Sequence, residues 1–133
     1  FETCRSYDAA KTLLAETPIA VPAFFSLSGT EPHEGCVIER TETQAFIRDG
    51  GGAAIANHWV AGPFAGRLRG FDSPGRLARM EACRDGVEDG FDWVAPPILN
   101  PTTRLAVVAN AATAALQVRG YEATGAATRD FIL

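Results

Sequence analysis

The apolar residues of this chain come in short runs, each closed by proline, glycine or a polar cluster, and that punctuation restricts it to short strands and short helices. Residues 23–29, Ala-Phe-Phe-Ser-Leu-Ser-Gly, read as a strand of buried type, followed by a polar loop through Gly35. Residues 36–40 and 43–48 read as two further strands joined around Thr41 and Glu42, a hairpin. The turn at 49–52, Asp-Gly-Gly-Gly, precedes an apolar run and not a helix, so it is a turn and not a phosphate cradle. Residues 105–110 and 115–121 form a second hairpin about an alanine-rich turn, and the tail from Glu122 carries no clear pattern. Two helices punctuate these strands. Residues 6–16 place Ala9, Ala10, Leu13 and Leu14 on one face, with Ser6 as cap, Asp8 at the positive end, and Pro18 and Pro22 beyond the stop. The second begins at Asp72-Ser73-Pro74-Gly75-Arg76, with Ser73 as cap and Pro74 at the first helical position. Leu77, Met80 and Ala82 or Cys83 turn inward, and Gly86 is the stop. Six or seven strands with helices gathered in blocks predict an α+β fold with mostly antiparallel pairing, residues 1–133 forming a single segment.

Charge and composition exclude several function classes. A formal net charge of -4, with Lys11 the only lysine, does not suit nucleic acid as a partner, because phosphate binding needs clustered cations. No run of about 18 apolar residues offers a membrane span. Cys4, Cys36 and Cys83 are an odd number without metal-ligand spacing, and read as thiols in a reducing, cytoplasmic compartment. His33 and His58 stand far apart with no supporting carboxylate pattern, so no metal and no cofactor is expected. The arginine, alanine and glycine content suggests a bacterial source.

Residues 53–59, Ala-Ala-Ile-Ala-Asn-His-Trp, are an apolar run that ends in an amide, an imidazole and an indole. It reads as a buried strand that delivers Asn57 to its end. An amide there is costly to bury unless it has partners, and a fixed Asn N–H suits an oxyanion; an Asx-turn cap of the following loop is the other reading. Arg76 falls in the first turn of its helix, where the macrodipole disfavours a cation, so it serves either something outside the helix or a surface role with its stem over Leu77 or Phe71. His58 and Trp59 are candidates for substrate contact, with half-buried packing as the alternative. Trp59 and Trp93, with Phe24, Phe25, Phe64 and Phe71, could wall an acyl pocket or pack a core. Residues 60–71, rich in Gly and Pro, read as a functional loop. Cys4 has no Cys-His support as a nucleophile, and Cys36 and Cys83 read as core thiols.

Three blocks, residues 6–14, 22–29 and 34–40, resemble successive segments of acid ceramidase and N-acylethanolamine acid amidase. Asn57-His58 followed by Asp72-Ser73-Pro74-Gly75-Arg76-Leu77-Ala78-Arg79 resembles the penicillin acyltransferases and the bile salt (choloylglycine) hydrolases. The resemblance implies an N-terminal nucleophile hydrolase: an αββα sandwich whose autocatalytically exposed cysteine attacks a linear amide. Residue by residue it implies that Asn57 is the oxyanion-hole asparagine and Arg76 the active-site arginine, with Arg79 as the alternative position. In that family the cysteine, and the Arg and Asp after it, precede the segment matching Ser6. The chain is therefore expected to be the C-terminal portion of such an enzyme. Its partners are a small acyl amide, the N-terminal half on the same or a separate chain, and a second copy in a homo-oligomer. The rival expectations are a non-catalytic binding module of the same fold and an acyl-CoA-dependent N-acyltransferase.

Overall fold

The computed structural model describes residues 3–50, 52–64, 66–84 and 90–133. The expected helix stop at Gly86 and the middle glycine of the 49–52 turn, Gly51, lie outside them. The described residues form two helices and seven strands, in the order α1 (Tyr7–Glu16), β1 (Ala23–Ser28), β2 (Gly35–Arg40), β3 (Ala45–Asp49), α2 (Ser73–Cys83), β4 (Leu105–Asn110), β5 (Ala115–Glu122), β6 (Gly125–Ala126) and β7 (Phe131–Ile132). Every strand pairing is antiparallel, so the fold class is α+β. The chain groups into two compact units, Phe1–Arg67 and Leu68–Leu133.

The first unit is a three-stranded sheet in the order β1-β2-β3. Side chains alternate across it, so Cys36, Ile38 and Arg40 of β2 face one way and Val37 and Glu39 the other. α1 covers the first face: Ala10, Leu27, Cys36 and Ile38 form the core, with Tyr7, Leu14 and Phe25 against it. Ser6 caps α1 as its sequence indicates, accepting from the N–H of Ala9. The inward stripe is Tyr7, Ala10 and Leu14, however, while Ala9 and Leu13 are exposed. A helix resting on a twisted sheet buries a narrower stripe than the apolar pattern allows for. Arg40, only 2% exposed, finishes the helix from below: its guanidinium donates to the carbonyls of Leu14 and Thr17. These are carbonyls that a helix C-terminus leaves without intrahelical partners.

In the second unit β4 and β5 form the expected hairpin, and β6 and β7 share the other edge of β5. Phe91, Val94, Ala106 and Tyr121 are its core. Asn100 ties the turn before β4 together by donating to the carbonyls of Pro97 and Ile98 and accepting from Thr102. α2 starts one residue earlier than a Ser73 cap would give. Asp72 is the cap, in the left-handed region at φ 37°, and its carboxylate accepts from the N–H of Gly75. A carboxylate at the positive helix end is a stronger acceptor than a hydroxyl, and Ser73 becomes a buried helical residue instead. Gly75 is needed there because a Cβ would lie 2.2 Å from the capping carboxylate oxygen. Leu77 is buried, Met80 and Cys83 are half-buried, and Ala82 is exposed.

Candidate functional site

Residues 53–59 are not a strand. After β3 the chain turns through Gly50 and Gly52, both at positive φ, and crosses the second face of the first sheet as irregular backbone. Side chains of the sheet hold its backbone. Arg48 on β3 donates from Nη2 to the carbonyl of Ala54 at 2.7 Å. Glu39 on β2 accepts with Oε2 from the N–H groups of Val60 at 2.9 Å and Ala61 at 3.0 Å. The same two side chains form an ion pair, Arg48 Nε to Glu39 Oε1 at 3.3 Å, without hydrogen-bond alignment. Glu39 is 1% exposed, so this carboxylate is buried against the sheet and compensated by one cation and two amides.

The segment is thus held near both ends by one charge pair, and it carries Asn57, His58 and Trp59. Asn57 is exposed and not buried, which corrects the expectation of an amide sealed at a strand end. His58 is half-buried. Trp59 lies edge-on to Phe24 with ring centroids 4.9 Å apart, and 5.1 Å from Phe64, which in turn packs edge-on against Phe46 at 5.6 Å. Phe24 and Phe46 flank Glu39 across the strands, so the indole anchors the segment onto the face that bears the carboxylate. Gly62 permits this packing, because a Cβ there would meet the Phe64 ring at 2.8 Å.

The aromatic residues named from the sequence do not wall one pocket. Phe25 belongs to the α1 side of the sheet, where an apolar cavity of about 200 Å³ is lined by Cys4, Ala10, Leu13, Leu14, Thr17, Ile19 and Phe25. Trp93 packs beside Phe91 in the second unit, and Phe71 is exposed. The three cysteines are free thiols: Cys36 is buried in the core, and Cys4 and Cys83 are half-buried. Beside Cys36, burial pushes the Tyr7 phenol above its usual range, and the nearby thiol adds to the shift. Among the described residues no group of three His, Cys, Asp or Glu side chains could hold a metal ion, and no helix is long and apolar enough to cross a membrane.

Arg76 belongs to the second unit and Asn57 to the first. Its backbone N–H closes the first helical hydrogen bond to Asp72, and its Nε donates to the carbonyl of Phe71 at 2.7 Å. It therefore braces the approach to α2. Arg79, half-buried on the same helix, has its Nε in a buried position.

Sequence reasoning placed Glu39 and Arg48 on strands but assigned them no role. For Glu39 the signal was present in the β2 sequence Gly-Cys-Val-Ile-Glu-Arg: the middle strand of a covered sheet ends in two charges, Glu39 and Arg40, and charges buried there require partners.

Over a short stretch the chain is similar to curated relatives. Acid ceramidase from Homo sapiens is 46% identical over 45 residues, which is 34% of this chain and 11% of the relative. The acid ceramidase of Balaenoptera acutorostrata scammoni gives the same identity and coverage. That of Heterocephalus glaber is 49% identical over 39 residues, 29% of this chain and 10% of the relative. No family model and no solved structure matches the chain. The chain spans about a tenth of the length of the curated relatives it matches, and over that stretch it is similar to acid ceramidase.

Proposed function

We propose that this chain is the C-terminal portion of an amide hydrolase that cleaves linear acyl amides through an acyl-cysteine intermediate. The nucleophile is assigned to a segment outside residues 1–133, with the α-amine of that cysteine as base. Asn57 donates its side-chain N–H to the oxyanion that forms when the amide carbonyl is attacked. Arg76 is assigned a second role, organising the reaction or pairing with a substrate carboxylate, and His58 and Trp59 contact substrate.

The observation that carries this reading is the segment bearing Asn57. An oxyanion donor must be both reachable and fixed, since its advantage over water lies in preorganisation. Asn57 is exposed, yet it sits on irregular backbone tied to a sheet through Ala54 at one end and Val60 and Ala61 at the other. The stretch similar to acid ceramidase supports the choice of an amide as the bond cleaved.

The test is to incubate the full-length protein with a series of N-acyl amides and follow free acid, free amine and the intact protein mass. The expected result is release of both products with a transient mass increase equal to the acyl group. Absence of turnover and of adduct across the series would overturn the proposal, and acyl transfer to added amines in preference to water would redirect it to an acyltransferase.

A further inference from the structure

The buried pair beneath the Asn57 segment has no counterpart in the reaction just proposed, and it is expensive. Moving a carboxylate into a site with 1% exposure costs several kcal/mol of hydration unless its partners recover it. A purely apolar contact on that face, next to Phe24 and Phe46, would hold a sheet together as well. What the pair supplies that apolar side chains would not is direction. Glu39 Oε2 takes two successive backbone N–H groups, those of Val60 and Ala61, at 2.9 and 3.0 Å. Arg48 takes the carbonyl of Ala54 at 2.7 Å while its Nε stays 3.3 Å from Glu39 Oε1. The two anchors lie on neighbouring strands two residues out of register, since Glu39 is opposite Phe46 and Arg48 is opposite Val37. The span from Ala54 to Val60 is thereby fixed at both ends to one rigid sheet, and Asn57 is its midpoint.

We propose that Glu39 and Arg48 are positioning residues: acting through the backbone of residues 54–61, they set the placement of the Asn57 amide. This rests on Asn57 being the oxyanion donor. Glu39 is buried beneath the segment and Arg48 is bonded to its backbone, so their effect is assigned to the reaction through Asn57. Displacement of a catalytic group by about 1 Å costs on the order of 100-fold in rate. Loss of either anchor frees one end of the span and lowers kcat by about 10- to 100-fold, with KM for the amide changed less than about twofold.

The experiment is a double-mutant cycle in the full-length protein. Glu39→Gln, Arg48→Lys and Asn57→Ala are made singly, and each clamp variant is also combined with Asn57→Ala; kcat and KM are measured for each, and Trp fluorescence reports the setting of Trp59. Gln gives the Val60 and Ala61 amides only a weaker, neutral acceptor and lacks the charge that holds Arg48, while Lys keeps the charge but lacks the guanidinium fork that reaches Ala54 and Glu39 together. The expected result is a fall in kcat for each clamp variant in the wild-type background and no further fall in the Asn57→Ala background. Clamp variants that reduce kcat by the same factor in both backgrounds, or that leave it at wild type, would overturn the positioning role. Should Glu39→Gln fail to fold, Arg48→Lys decides alone, because Arg48 is 20% exposed and keeps its charge there. An Asn57→Ala variant with wild-type kcat overturns the function assigned to Asn57, and that outcome is separate from additivity within the cycle.

Discussion

Arg40 and Asn57 separate cleanly by what surrounds them. Arg40, at 2% exposure, has its donors on the carbonyls of Leu14 and Thr17, so truncation leaves two helix-end acceptors without partners in a covered site. Arg40→Ala is expected to lower stability by about 3 kcal/mol, measured by urea unfolding, because each unmade bond to a charged donor costs about 1.5 to 3 kcal/mol. Asn57 is exposed, and Asn57→Ala should change stability by no more than about 1 kcal/mol in the same measurement. That contrast separates a structural residue from a functional one. Asn57 stood out in the sequence because an amide, an imidazole and an indole follow four apolar residues. Glu39 and Arg48 did not stand out, because a Glu or Arg at the end of a strand is ordinary on an open sheet. The cover on both faces of β2 makes Glu39 unusual, and Arg48 on β3 is its ion-pair partner.

At the scale of elements, helices and hairpins were legible where local chemistry decides them. Ser6 and Asp8 mark the start of α1, Pro74 marks the start of α2, and the hairpins follow from short apolar runs around a polar turn in the first and an alanine-rich turn in the second. Residues 53–59 were misread for a physical reason: Ala-Ala-Ile-Ala is apolar but has a single β-branched residue, and the segment is held by side chains of β3 and β2, Arg48 on Ala54 and Glu39 on Val60 and Ala61, which no local pattern reveals. The last strand offers a pH test. Arg119 on β5 donates through Nη2 to Asp130 at 2.9 Å just before β7, and lies 4.8 Å over the Phe91 ring. Its hydrogen bond holds the Asp130 carboxyl below the usual carboxylate range, while Arg119 is pushed further up. A depressed carboxyl contributes stability above its unfolded value of about 4 and loses it as pH falls through the lower folded value. Acid unfolding followed by circular dichroism should therefore become shallower below about pH 4 in Asp130→Asn. An unchanged acid limb would show that this pair does not link pH to stability.

For the whole molecule, the α+β class with antiparallel sheets was readable from the alternation of short strands with helical blocks, whereas the grouping into two units was not. The boundary after Arg67 falls inside the Gly- and Pro-rich stretch that reads as one functional loop. The second unit exposes Leu105 at 66%, Ile132 at 72% and Leu133 at 79%, with Val107 and Phe131 also largely open. An apolar set of this kind on strands β4 and β7 favours association. Isolated residues 1–133 are expected to self-associate in light scattering at micromolar concentration, and a stable monomer would contradict the view that this piece is completed by further chain or by a second copy.

The most direct test of the central claim is the turnover number of full-length Asn57→Ala on a linear acyl amide, with circular dichroism and thermal unfolding matching the parent protein. Removing one preorganised oxyanion donor is predicted to reduce kcat by about 10²- to 10³-fold with little change in KM. Wild-type kcat in a folded Asn57→Ala protein would contradict the account.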